Sequence, residues 1–295
     1  MRDVVIVPCY ERPEYTFLCL QYLSRARGIH DKDVWICQDQ HKDTGPSIVG
    51  AMLEVRDRAD CYFIRLRYQL HARHDTYGNS QNLVDSLRDA YDTGAERVFL
   101  VEDDIIVAPD IFEWHEAVLK DSDPLVSCAT LVNKSAHFHI NGPQVMDETY
   151  QDPAAYVRIG AYSSPPMPYS SHAAAFKREH LGDILDYLSR RPIEWAPGIE
   201  QDLLIQQYPG CLQYPNRGSV WPFVPRAYNI GWRSYHINTG VKFNGTLEEK
   251  TNALESVIRD PQKLREMSAN NSAVTALPEQ WPVRTGPVVN VQKFR

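Results

Sequence analysis

Val101-Glu102-Asp103-Asp104-Ile105-Ile106-Val107-Ala108-Pro109-Asp110-Ile111-Phe112-Glu113-Trp114 is the stretch from which the rest of this chain is read. Three carboxylates stand in a row directly after an apolar, β-leaning run, Arg97-Val98-Phe99-Leu100-Val101, and a proline and an amphipathic helix start follow. Consecutive acids at the end of a buried strand repel one another, and their desolvation is expensive unless a cation compensates. Hard oxygen donors of this kind suit Mg²⁺ or Mn²⁺, which in turn bridges phosphate oxygens. The stretch therefore predicts a metal-dependent enzyme acting on a nucleotide diphosphate.

Upstream of it, strand and helix signals alternate. Val4-Val5-Ile6-Val7 is a continuous apolar run, as a strand covered on both faces should be, and Pro8 is expected to end it. Residues 13–26 carry Phe17, Leu18, Leu20, Tyr22 and Leu23 at helical spacing. Val34-Trp35-Ile36-Cys37 reads as a second strand stopping at Gln38-Asp39, residues 47–56 as a second helix and 61–66 as a third strand. Residues 79–93 read as a helix with Leu83, Val84, Leu87 and Tyr91 on one face, closed by Gly94. The fourth strand runs into the acids. This order predicts an α/β fold with a mostly parallel central sheet flanked by helices, binding its ligand at the carboxyl ends of the strands, where Pro8, Asp39 and Asp103 fall.

The second half is less regular. Residues 125–131 read as a strand, and 133–170 as a long Pro/Tyr/Ser-rich loop of the kind that is more often functional than decorative. Ala173-Ala174-Ala175-Phe176 reads as a strand, 178–190 and 200–208 as helices, and 247–259 as a last helix before a Pro-rich tail. We divide the chain into a catalytic domain over 1–240 and a C-terminal helical segment and tail over 241–295.

Composition bounds the function classes. A chain of 295 residues buries one large core, or a core and a modest second lobe. Net charge of −7 and a pI near 5.8 argue against holding nucleic acid by overall field. The six cysteines include no C-x-x-C pair and sit mostly in apolar runs, which predicts buried free thiols, a reducing compartment and no structural zinc. No apolar stretch approaches the roughly 18–20 residues a membrane span needs. With the first strand beginning at Asp3, a targeting signal is not expected and a cytoplasmic location is. Neither Gly-x-x-x-x-Gly-Lys-Ser/Thr nor Gly-x-Gly-x-x-Gly follows the first strand, which removes P-loop ATPases and ordinary dinucleotide enzymes.

Taken in order, these motifs resemble GT-A glycosyltransferases. Val4-Val5-Ile6-Val7-Pro8-Cys9-Tyr10-Glu11-Arg12-Pro13 is similar to their opening strand and loop, Ile36-Cys37-Gln38-Asp39 to their second strand, and Glu102-Asp103-Asp104 to their acidic metal motif. The stretch Val101 to Trp114 is especially similar to the N-acetylglucosaminyltransferase I family. The resemblance covers the first 130 residues or so well and reaches weakly to about residue 240. It implies a sugar transferred from a nucleotide diphosphate, UDP-GlcNAc or UDP-glucose foremost, onto a hydroxyl. Pro8, Tyr10 and Arg12 would line the donor's nucleotide, Asp39 would face its base or ribose, Glu102 and Asp103 ribose and sugar, and Asp104 would be the main metal ligand. Ile199-Glu200-Gln201-Asp202-Leu203-Leu204 stands where the family carries its catalytic carboxylate; Asp202 is the expected base, with Glu200 in reserve, and Gln201 departs from the family's paired acids. A base on the face opposite the leaving group implies inversion.

Other residues have two readings. Glu200 and Asp202 would equally complement a helix dipole. His236 is a candidate metal or phosphate contact and also an ordinary loop histidine, and Arg233 suits a bidentate grip on phosphates. The basic run Arg65, Arg67, His71, Arg73 and His74 suits a diphosphate or polyanionic acceptor, but also a strand end with solvated arginines and one donor contact, for which Arg73 is chosen. Asn82 is a donor-side candidate near the start of its helix, where Asn79 suits an N-cap. The acceptor is not readable: glycan, protein, or a hydroxylated base in phage-type modified DNA. Two rival readings remain, a nucleotidyltransferase that makes the activated sugar, disfavoured by the glycine-free loop at 8–13, and a non-catalytic nucleotide- or carbohydrate-binding module.

Overall fold

A computed structural model describes residues 3–9, 12–39, 67–73, 79–129, 152–159, 169–190, 205–214, 217–231, 244–260, 262, 280–281, 284 and 286–290. Their elements run β1 (Asp3–Cys9), α1 (Pro13–Leu23), β2 (Lys32–Asp39), β3 (Arg67–Arg73), α2 (Asn79–Asp92), β4 (Arg97–Leu100), β5 (Ile105–Val107), α3 (Ile111–Ser122), β6 (Val126–Cys128), β7 (Ala155–Ile159), β8 (Ala174–Lys177), α4 (Arg178–Ser189), α5 (Gly210–Gln213), β9 (Ser219–Pro222), β10 (Ala227–Asn229), α6 (Leu247–Ile258) and β11 (Val289–Asn290). Nine strands form one sheet in the order β11-β7-β9-β6-β8-β4-β1-β2-β3. From the pairings, β1 to β4, β6 and β9 run one way, and β7, β8 and β11 the other.

Strand alternation sorts the sheet's two faces into two cores. Val4, Ile6, Trp35, Val98 and Leu100 pack with Leu83, Val84 and Leu87 of α2 and Leu181 and Leu185 of α4. Val5, Val7, Val34, Ile36 and Phe99 pack with Phe17 and Leu20 of α1 and Ile111 and Phe112 of α3. Burial on both sides is why β1 reads as an unbroken apolar run. A third cluster seats Leu254, Val257 and Ile258 of α6 on Tyr15, Leu18 and Tyr22 of α1.

The order β3-β2-β1-β4 places the topological switch between β1 and β4, since the chain moves outward from β1 first to one side and then to the other. Pro8 lies beside this switch. The Ile6 carbonyl accepts from the Val101 N–H, so the even residues of β1 bond toward β4. The β1–β4 ladder stops at Ile6↔Leu100, leaving Pro8 to face the gap beyond it, where a missing N–H goes unneeded. β1 therefore continues through Pro8 to Cys9, paired with β2 alone, rather than ending at the proline.

Other boundaries also differ from the sequence expectation. The strand paired with β2 is Arg67–Arg73, whose polar and apolar residues alternate; the strand and helix expected at 61–66 and 47–56 lie outside the described residues. β7 rises within the stretch read as a loop, β9 forms where no strand was expected, and β11 brings the tail back into the sheet beside β7. β5 and β10 form a separate antiparallel ribbon, Ile105↔Asn229 to Val107↔Ala227. No described helix is long and apolar enough to cross a membrane, and Cys9, Cys19, Cys37, Cys128 and Cys211 are buried free thiols.

Candidate active site

The acids occupy the turn between β4 and β5, at the carboxyl edge of the parallel strands. Asp103 and Asp104 are 4% and 6% exposed, so neither is a solvated turn residue. Arg12, at the N-terminus of α1, bridges them: Nη2 donates to Asp103 Oδ1 at 2.6 Å and Nη1 to Asp104 Oδ2 at 2.9 Å. Its position follows from Pro13, which opens α1 with a preset φ and lets the Arg12 carbonyl accept from the N–H groups of Tyr15 and Thr16. The guanidinium also lies 5.2 Å from the centre of the Tyr15 ring.

Electrostatically the site carries an excess of acid. Burial, reinforced by Asp104, pushes the Glu102 carboxyl up to about 8 against the hydrogen bond from Ser171 that favours its ionised form. Burial raises Asp103 to about 6 despite the attraction of Arg12. Burial works against the Arg12 charge as well, but Asp103 and Asp104 outweigh it and hold the guanidinium firmly protonated. Burial likewise pushes the Cys19 thiol up; its Sγ lies 3.6 Å from the Glu102 carbonyl.

The second half of the chain supplies the far wall. The Ile230 N–H donates to the Asp104 carbonyl at 2.9 Å, continuing the β5–β10 ribbon past the acids. Gly231 then passes so close that a Cβ there would stand 2.0 Å from Asp104 Oδ2. Its N–H donates to Asn229 Oδ1 at 2.6 Å, and Asn229 Nδ2 lies 3.1 Å from His172 Nε2. Ser171 and His172 reach this edge because β8 is antiparallel to β4: Ala174 pairs with Leu100, so residues just before β8 meet the end of β4.

The residues expected from sequence distribute as follows. Pro8, Arg12, Glu102, Asp103 and Asp104 lie at the carboxyl edge around the β1–β4 switch. Register sets Asp39 beside Arg73 at the same edge, one strand further out. Asn82 is fully buried and donates through Nδ2 to the Cys37 carbonyl at 2.8 Å, so it supports the end of β2 from behind. Tyr10, Glu200, Asp202, Arg233 and His236 lie outside the described residues. Sequence reasoning did not single out Thr16, Ser171, His172, Asn229 or Gly231. The last two stand only a few residues before the candidates Arg233 and His236, whereas nothing local marks Ser171 or His172 until β8 is known to be antiparallel.

The donor set fits a divalent cation. Three carboxylates face one guanidinium, and Asp104 Oδ1 is buried without a hydrogen-bond partner among the described residues. Hard oxygen donors and uncompensated buried negative charge are what Mg²⁺ and Mn²⁺ bind. A second group, Asp123, Glu179 and His180, also brings its ligand atoms within 4.8 Å. It lies near the opposite edge, since neighbouring Lys177 pairs with Arg97 at the start of β4, and Lys177 and Arg217 already neutralise Asp123 at 2.5 and 3.1 Å.

No family model and no curated relative matches the sequence. Among solved structures, S. aureus TarS 1–349 in complex with UDP-GlcNAc superposes with a TM-score of 0.55 at 15% identity, over 91% of this chain and 71% of that one. TarS 1–349 alone gives 0.52 at 14% identity, over 92% and 74%. Against the longer TarS structure the TM-score is 0.51, and the match spans 44% of that chain. The acidic turn at the switch point, the β5–β10 ribbon behind it and these superpositions together show that the chain has the GT-A fold of nucleotide-diphospho-sugar transferases.

Proposed function

We propose that this protein is a glycosyltransferase that moves a sugar from a nucleotide-diphosphate donor, UDP-GlcNAc or UDP-glucose, to a hydroxyl acceptor with inversion. The observation that carries this reading is the acid-rich turn Glu102-Asp103-Asp104, with Asp103 and Asp104 buried, at the switch point of a GT-A fold. TarS, which shares that fold, is seen with UDP-GlcNAc. The similarity of Val101 to Trp114 to the N-acetylglucosaminyltransferase I family favours the same donor class.

Asp104 would hold Mn²⁺ or Mg²⁺ with its free Oδ1, and His236 is the further candidate ligand. When bound, the ion neutralises charge on the diphosphate as the glycosidic bond breaks. The chain's own residues do the rest. Pro8, Tyr10, Arg12, Asp39 and Arg73 line the nucleotide side, with Asn82 bracing β2. Glu102 and Asp103 face ribose and sugar, and Arg233 closes on the phosphates. Asp202, with Glu200 in reserve, takes the acceptor's proton from the face opposite the leaving group. The described cysteines, all free, favour a cytoplasmic setting. The acceptor class stays as broad as the sequence leaves it: glycan, protein or hydroxylated DNA base.

The test is thermal stability against a panel of nucleotide sugars, with Mn²⁺ and then with EDTA. A metal-dependent rise with one sugar nucleotide, lost in Asp104→Ala, is the expected result. Equal shifts with and without metal, unaltered by Asp104→Ala, would overturn the metal assignment. Donor hydrolysis in the absence of acceptor then distinguishes a transferase from a binding module.

A further inference from the structure

We propose that Arg12 and Thr16 are positioning residues that reserve a single oxygen, Asp104 Oδ1, for the divalent cation; the inference rests on the metal-dependent reading above. Asp103 and Asp104 present four carboxylate oxygens between them. Asp103 Oδ1 accepts from Arg12 Nη2 at 2.6 Å, and Asp103 Oδ2 accepts from Thr16 Oγ1 at 3.4 Å. Asp104 Oδ2 accepts from Arg12 Nη1 at 2.9 Å and is backed by Gly231, whose missing Cβ would stand 2.0 Å from it. Three oxygens are therefore engaged. Asp104 Oδ1 is the remaining one, buried and without a partner among the described residues.

Such asymmetry follows from a planar fork. A guanidinium whose two arms hold two different carboxylates fixes the rotation of both, whereas an ammonium is a point charge and fixes neither. The fork is itself held. The one Thr16 hydroxyl proton is shared between the Arg12 carbonyl at 3.2 Å and Asp103 Oδ2 at 3.4 Å, the same carbonyl accepts from the first turn of α1, and the Tyr15 ring lies beside the guanidinium. Carboxylates that bind metals are oriented by just such outer hydrogen bonds, and losing one lowers metal affinity by about 10–100-fold.

Arg12 also acts on a cation by its charge, and this action has the opposite sign. A positive group beside the acids repels a second positive ion, so a residue that mattered only as charge would tighten metal binding when removed. Arg12→Lys separates the two effects, because it keeps the charge and loses the fork.

The experiment is Mn²⁺ binding by electron paramagnetic resonance in the presence of UDP, with no turnover required, on the wild type, Arg12→Lys, Arg12→Met and Asp104→Ala. Positioning predicts that Arg12→Lys weakens Mn²⁺ binding by about 10–100-fold. Wild-type affinity in Arg12→Lys together with tighter binding in Arg12→Met would overturn it in favour of a charge role alone. If Arg12→Met fails to fold, with two acids buried unpaired, Arg12→Lys decides the matter. Asp104→Ala keeps the two levels apart. Unchanged Mn²⁺ binding in that variant removes the metal site itself, whereas its loss with a normal Arg12→Lys removes only the role of Arg12.

Discussion

Replacing Glu102 by Gln should make the protein more stable at pH 8 and leave it unchanged near pH 4. The Glu102 carboxyl is held at about 8 against an ordinary 4.5. Between those values the native state keeps a proton that the unfolded chain releases. Stability is therefore unaffected by this group below about pH 4.5, falls as pH rises toward 8, and levels off above. Each pH unit in that window corresponds to about 1.4 kcal/mol, giving a ceiling near 5 kcal/mol. Glu102 is only half-buried, and water reaching the carboxylate reduces the cost. An advantage of about 2 kcal/mol for Glu102→Gln at pH 8 is the working figure. Urea denaturation in EDTA, from pH 5 to pH 8, reads it directly: the wild-type midpoint should drop across the range and the variant's should drop less. Added Mn²⁺ should restore the wild type more at pH 8 than at pH 5, because protonated acids bind metal poorly. Parallel pH profiles for the two proteins would refute the argument, since they would mean that Glu102 is ionised throughout.

Further predictions follow from particular contacts. Gly231→Ala puts a methyl group against Asp104 Oδ2, so it should abolish the Mn²⁺-dependent thermal shift with UDP while costing about 1–3 kcal/mol of stability; a retained shift would contradict the close approach. Asp110→Ala strands the fully buried Arg226, whose Nε lies 3.1 Å from Asp110 Oδ1, and should destabilise the fold by about 3–5 kcal/mol in urea melts. Asp202→Asn should leave nucleotide-sugar binding intact by calorimetry and reduce turnover by about 10²–10⁴-fold; near wild-type rates would pass the role of base to Glu200 or another group.

The parts of the fold that the sequence made legible are those where local pattern and burial agree. β1, β2, β4, α1 and α2 were visible because both sheet faces are covered, α2 carries one apolar stripe, and α1 is apolar on two sides, toward the sheet and toward α6. The third strand was expected at 61–66, outside the described residues, and β3 itself went unread because Arg67, Gln69, His71 and Arg73 alternate with Tyr68, Leu70 and Ala72, an alternation that continuous apolar runs do not show. The β5–β10 ribbon was hidden for another reason: its strands have three residues each, and their pairing joins residues about 120 apart. In the site, the acids announced themselves by composition. Arg12 was named as a nucleotide contact, but its bridge between Asp103 and Asp104 needed the geometry of α1 against the acidic turn. Thr16 and His172 carry no local signal, because each depends on which way a neighbouring element runs.

Pro8 carries a consequence of another kind. Open sheets tend to extend, and two parallel strands that diverge at a crevice need only one more donor to zip further. A proline at the first position past the β1–β4 ladder supplies no such donor, so that residue can only accept, and one of the two bonds it would make toward β4 is missing whatever else moves nearby. The weakening of pairing at the cleft's mouth is thus set by covalent chemistry rather than by the presence of an occupant. A cleft that must release whatever it binds gains from a gap that does not readily heal between visits.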